Sequence, residues 1–147
     1  MSKPRYNWWS FAMAIIRDYP VRAAALKELR EQKLNAELSD MPKADTIGRM
    51  VEGLATCQLH PQEQREYDAV HMAMKRTKMM PEGKLRLDVV RMTILKGYTI
   101  EGAAMLLHIS DRSARRYRWQ FILLVGHMYG FLDEESYIKA MQKDAPK

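Results

Sequence analysis

Residues 98–121 read YTIEGAAMLLHISDRSARRYRWQF, and their spacing predicts two helices joined by a tight turn. The first runs from Thr99 to about Leu107 and the second from about Asp111 into the 120s; His108, Ile109 and Ser110 make the corner. Two helices that cross this closely need a small residue at the contact. Ala104 supplies it, with Gly102 and Ala103 beside it. The corner needs a residue that tolerates a left-handed backbone, then an apolar plug, and His108 and Ile109 occupy those places. Glycine is the usual corner residue, but His is among the non-glycine types enriched at such positions. Ser110 is a good cap for the second helix. Ala114, Tyr117 and Phe121 recur at the spacing that faces the first helix, and Ile100 and Leu107 close the other side of a small core.

That arrangement leaves an outward strip. Asp111, Arg112, Arg115, Arg116 and Trp119 fall at i, i+1, i+4, i+5 and i+8, which is one face of a helix. A short buried helix followed by a basic one is the layout of a helix-turn-helix that enters a major groove. Arginine can hold guanine O6 and N7 with both arms, worth roughly 1–3 kcal/mol of discrimination per contact. Ser110, Ser113 and Arg118 are placed for phosphates, which set register without reporting sequence. Lys96 and Tyr98, just before the pair, are further candidates for backbone contacts. Four arginines on one helix also fit a plain solvated face, so spacing and charge have to be weighed together.

The rest of the composition agrees with a helical, acid-seeking protein. The chain has 147 residues, room for one domain or one domain with a helical appendage. Hydrophobic residues make up 47%, enough for a real core. The formal charge of +6 favours an acidic partner, nucleic acid or an anionic membrane surface. A single cysteine, Cys57, excludes an intrachain disulfide and suits a reducing compartment. The first residues, MSKPRYNWWSF, do not make a signal peptide, because the apolar run breaks at Arg17 and Asp18. No apolar run reaches the length of a membrane span. A cytoplasmic protein is the expectation, with no membrane partner.

Strand signals are nearly absent and helical periodicity recurs, so the expected class is all-α, a multi-helix domain ending in the helix-turn-helix. Asn7–Asp18 reads as a helix with Trp8, Phe11, Ala12, Ile15 and Ile16 on one face, and Pro20 is expected to stop it or to start the next helix. The Trp8–Trp9 pair suits a core anchor, with an interface anchor as the rival reading. A second helix is expected from Val21 to about Leu38, with Leu26, Leu29, Leu34 and Leu38 as its stripe, then a linker over Ser39–Ala44. A third, Asp45–Leu59, would carry Ile47, Met50, Val51 and Leu54 inward with Cys57 as a buried thiol. A fourth opens at Pro61 and runs to about Lys78, turning Tyr67, Val70, Met74 and His71 to the core. A basic connection follows over Lys75–Lys84. The fifth, Leu85–Lys96, buries Leu85, Val89, Met92 and Leu95 with Leu87 and Ile94 at its flanks, and Gly97 ends it in the left-handed region. A short acidic helix from Asp133 to Gln142 and a tail finish the chain. The expected division is a helical support and partner-binding region over 1–80, the DNA-binding unit over 81–132, and the acidic helix and tail over 133–147.

Thr99-Ile100-Glu101-Gly102-Ala103-Ala104 and Ile109-Ser110-Asp111-Arg112-Ser113-Ala114-Arg115-Arg116-Tyr117 together resemble the fourth-region helix-turn-helix of bacterial sigma-70 factors. The form is most similar to that of small phage regulators of the ArpU/RinA type. Trp8, Trp9, Tyr19 and Pro20 in an N-terminal helix, and the run from Phe121 to Gly130, look similar as well. The motif covers about a quarter of the chain. The resemblance implies a helical, phage- or prophage-encoded regulator of late genes such as the packaging operon.

The expected function is therefore sequence-specific binding of double-stranded DNA in transcription regulation, with a homodimer and RNA polymerase as expected partners. Two other readings stand beside it: a DNA-recognition, small-terminase-like subunit of a packaging machine, and a helical adaptor that binds only protein. An enzyme is not expected. His60, His71, His108 and His127 lack metal-ligand spacing, one cysteine makes no zinc framework, and Ser110 and Ser113 have no nucleophile-elbow context. Asp133-Glu134-Glu135 suits a helix N-terminus better than a catalytic set. Neither a cofactor, a metal nor a small-molecule substrate is expected.

Overall fold

The computed structural model describes residues 6–40 and 59–142. Within them the chain is all-α: α1 Trp9–Asp40, α2 Pro61–Lys78, α3 Gly83–Val90 continued by a π-helical turn Arg91–Leu95, α4 Ile100–Leu107, α5 Asp111–Tyr129 and α6 Glu134–Gln142. The expected helix over Asp45–Leu59, including its Cys57, lies outside the described residues apart from Leu59.

The centre is α5. From Phe121 to Gly126 six successive residues are buried, and Ile122, Leu123 and Val125 are fully so. A helix buried all round has to be enclosed by other elements, and α5 packs against each of the other five helices. The main core gathers Trp8, Trp9, Ile15 and Ile16 at and within the start of α1, Val70 and Ala73 of α2, Leu87 and Val90 of α3, the second half of α5, and Tyr137 and Ala140 of α6. Residues on both sides of position 80 build this one cluster, so the core is continuous across the boundary expected there. A second, smaller cluster of Val89, Ala104, Ala114 and Tyr117 ties α3 to the α4–α5 corner, with Leu85, Ile100, Leu107 and Ile109 packed on it.

Pro20 does not divide α1, contrary to the expected break between Asp18 and Val21. One helix of 32 residues passes through it. An interior proline removes a backbone hydrogen bond and crowds the preceding turn, at a cost of about 3 kcal/mol. Contacts to α2 on both sides of it hold the helix together. Before it, the Tyr19 ring stacks on Tyr67 at 5.2 Å and its hydroxyl meets His71 Nδ1 at 3.0 Å. After it, Arg22 pairs with the buried Glu66 at 2.7 Å. Burial, and then the neighbouring Tyr67, push the Tyr19 hydroxyl up to about 12.

The segment bounds of α2 agree with expectation. His60 Nδ1 accepts from the Gln62 N–H at 3.4 Å, and Pro61 takes the first helical position. In α3 the depth order differs from the expected one. Leu87 and Ile94, expected as flanks, are buried, whereas Leu85, Met92 and Leu95 are only partly so. The helix serves two cores at once, Val89 facing the small cluster and Leu87, Val90 and Ile94 the main one. Its last turn widens to a π turn, with the Lys96 N–H reaching Arg91 O at 2.9 Å while the Thr93 hydroxyl donates to Val89 O at 2.7 Å. Gly97 then takes the expected left-handed backbone at φ 76°.

Where α1 crosses α5, backbone and ring meet directly. A Cβ placed on Gly126 would collide with the Trp8 ring, and that ring is itself stacked on Phe131 at 5.5 Å. Gly126→Ala is therefore expected to destabilise the protein by about 1–3 kcal/mol, the usual cost of overpacking, measured as a lower urea midpoint by circular dichroism. A second expectation concerns alkali. The folded state holds the Tyr19 proton up to about pH 12, but the unfolded chain releases it near the ordinary tyrosine value of 10.0. Stability then falls as pH rises through that window. Absorbance titration of tyrosinate should show a late-titrating fraction that Tyr19→Phe reduces by one group.

Candidate nucleic-acid interface

The α4–α5 pair is built from local chemistry at each end. Thr99 Oγ1 accepts from the Gly102 N–H at 3.0 Å and caps α4, so Thr99 is the cap and not the first helical residue. At the other end His108 sits at φ 57°, ψ 43°. The His108 N–H bonds Met105 O at 3.3 Å and the Ile109 N–H bonds Ala104 O at 3.0 Å, the paired closure of a Schellman turn. Ile109 then plugs into the small core beside Ala104. Ser110 Oγ accepts from the Ser113 N–H at 3.1 Å and caps α5. The expected inner face holds, with one change: Phe121 belongs to the main core and not to the small one.

On the outer face Asp111, Arg112 and Arg116 are exposed and Arg115 is half-buried, all within the first six residues of α5. Tyr117 anchors this face from below. Its hydroxyl donates to the Glu82 carboxylate, which holds the phenol proton above its ordinary range. The Arg86 and Arg116 guanidiniums lie over its ring, 4.6 and 5.5 Å from the centroid. Glu82 itself is in the left-handed region at φ 58°, the position from which the turn before α3 delivers its carboxylate. Lys96 and Tyr98 are exposed beside the entrance to α4.

Two expected contact residues are elsewhere. Trp119 shares the helical face of Arg112 and Arg116 but is 6% exposed. Its ring lies 4.6 Å from Trp9 and 6.3 Å from Tyr6, so it belongs to the aromatic joint between α1 and α5 and not to the outer strip. The strip accordingly ends at Arg116, where the N-terminal end of α1 covers the helix. Arg118 is turned to α1, its Nη2 3.7 Å from Met13 Sδ. Burial, and then the charge of Arg17, lower its affinity for a proton, though an arginine at this depth stays protonated at neutral pH. Ser110 and Ser113 have their hydroxyls bonded to each other at 3.0 Å, so the cap takes up the Ser110 and Ser113 side chains that were expected on phosphates.

Arg17 and Arg86 were not singled out from the sequence. Nothing local marks Arg86, whose ring partner Tyr117 and amide partner Gln120 come from α5. Arg86 donates to Pro81 O at 3.0 Å and to Gln120, which fixes α3 to α5 behind the strip. No group of three or more His, Cys, Asp or Glu side chains that would hold a metal occurs among the described residues. No helix among them is long and apolar enough to cross a membrane. Comparison of the chain with family models, curated proteins and solved structures gives no match.

The left-handed corner gives a direct test of the turn. An L side chain there costs roughly 1–2 kcal/mol, and glycine relieves it at some entropic expense. His108→Gly is expected to raise the unfolding free energy by up to about 1 kcal/mol. A fall in the urea midpoint instead would show that the exposed imidazole stabilises the corner.

Proposed function

We propose that the protein is a sequence-specific double-stranded DNA-binding transcription regulator that lays the first two turns of α5 in a major groove. The observation that carries this reading is the strip Asp111, Arg112, Arg115 and Arg116 at the N-terminal end of a helix that follows a tight corner. Groove-reading helices contact base edges with their N-terminal residues, and at this end of α5 Asp111, Arg112 and Arg116 are exposed. Arg112 and Arg115 are the residues assigned to base edges. Arg116, held over Tyr117, together with Lys96 and Tyr98, is assigned to the sugar–phosphate backbone. The resemblance to sigma-70 region 4 and to phage regulators of the ArpU/RinA type supports the same reading and directs it to late-gene control in a phage or prophage.

A single pair of helices covers little DNA, so two copies on paired half-sites fit the reading. α4 exposes Met105 at 74% and Leu106 at 60%, an apolar pair suited to a protein neighbour, a second copy or RNA polymerase, and unsuited to phosphate.

Selection of bound fragments from genomic DNA with the purified protein should yield a defined site. Arg112→Ala and Arg115→Ala should each lower the preference for that site over unrelated duplex by about 5- to 160-fold, the equivalent of about 1–3 kcal/mol, with helicity unchanged by circular dichroism. Undiminished preference in both variants would overturn the assignment of α5 as the reading helix.

A further inference from the structure

α1 approaches α5 in an antiparallel sense. Trp8 lies against Gly126, Trp9 against Trp119, and Met13 against Arg118. As α1 runs forward it therefore moves toward the N-terminal half of α5, where the outer arginines are. Arg17 follows Met13 by four residues, one turn along the same face. It is exposed, and the residue one turn before it, Met13, is the one that Arg118 Nη2 reaches at 3.7 Å, which sets the two arginines on neighbouring turns of the α1–α5 contact.

Among the described residues no carboxylate forms an ion pair with Arg17, Arg115 or Arg118. Asp18, the acidic neighbour in sequence, points to Arg22 at 3.6 Å. Two arginines from separate helices, one exposed and one partly desolvated on a methionine, therefore leave unpaired positive charge at this edge of the α1–α5 contact. An anion with several oxygens would be held from two directions by such a pair.

We propose that Arg17 and Arg118 form a two-helix phosphate clamp, by which the N-terminal helix α1 grips the DNA backbone beside the groove that α5 enters. This rests on the reading of α5 given above and extends it, because it makes α1 part of the DNA surface as well as a support. A phosphate contact sets register and affinity but not sequence, so its signature differs from that of Arg112. Removing one such phosphate contact should reduce the slope of log affinity against log salt by about 0.9.

The test uses the full-length protein, a random-sequence duplex and the selected site, with binding followed by fluorescence anisotropy between about 50 and 200 mM KCl. Arg17→Ala should weaken both duplexes by the same several-fold factor and flatten the salt slope by about one unit, leaving the ratio between them as in the wild type. Arg17→Lys should restore most of the slope. Arg30→Ala is the charge control: Arg30 is exposed on the same helix, about 20 Å further along at 1.5 Å per residue, and its removal should change the slope little.

An Arg17→Ala protein that binds with wild-type affinity and slope overturns the clamp while the reading of α5 stands. So does an equal weakening by Arg30→Ala, or a change confined to the selected site. Loss of binding to phosphatidylglycerol vesicles, with duplex binding intact, would assign the pair to a membrane surface and overturn the clamp. If the wild-type protein binds neither duplex at low salt, the clamp and the reading of α5 both fall.

Discussion

The structure depends on one constraint: the second half of α5 is apolar on every side and must be enclosed on every side. Ile122, Leu123, Leu124 and Val125 are consecutive and have almost no surface left, so no single partner helix can cover them. The other helices are arranged to do this. α1 brings its tryptophans, α2 its valine and alanine, α3 the face bearing Leu87 and Val90, and α6 folds back with Tyr137. The first two turns of the same helix keep an outward face of Asp111, Arg112 and Arg116 over the buried Ala114 and Tyr117. One helix of 19 residues is thus hub at one end and exposed edge at the other, and the orientation of the arginines is set by burial two turns away.

This division of α5 explains which features the sequence discloses and which it does not. The caps at Thr99 and Ser110, the left-handed corner at His108 and the start of α2 at Pro61 are governed by neighbours within a few residues, and each is legible from residue type. The inner face of Ala104, Ala114 and Tyr117 is legible for the same reason, since helical period alone places it. Pro20 and Trp119 are different. Proline favours a break unless distant contacts outweigh it, and here the contacts come from Tyr67, His71 and Glu66, on another helix far along the chain. Trp119 is in phase with the arginines, and only the arrival of Trp9 removes it from the surface. The order of depth in α3 is hidden likewise, because a helix between two cores has no single apolar stripe.

The candidate site is consequently better defined than the sequence alone allows, and smaller. The outer strip ends at Arg116 instead of Trp119, and Arg118 faces α1 instead of continuing the strip. At the same time the structure backs Arg116 with Tyr117, Arg86 and Glu82. The two serines expected to touch phosphate are occupied in holding the start of α5, which keeps the strip in a fixed position relative to the corner.

The clustering of the tryptophans has a consequence for observing the molecule. The chain contains only three, and Trp8, Trp9 and Trp119 all meet at the crossing of α1 and α5. Their rings are close enough to exchange excitation, so the protein's ultraviolet emission comes from one joint. It therefore reports whether α1 is seated on α5. The corner at His108 and the outer arginines contribute no indole of their own. Motion there reaches the optical signal only if it is transmitted through α5, which makes the native protein, without any label, a detector of mechanical coupling between its exposed edge and its core.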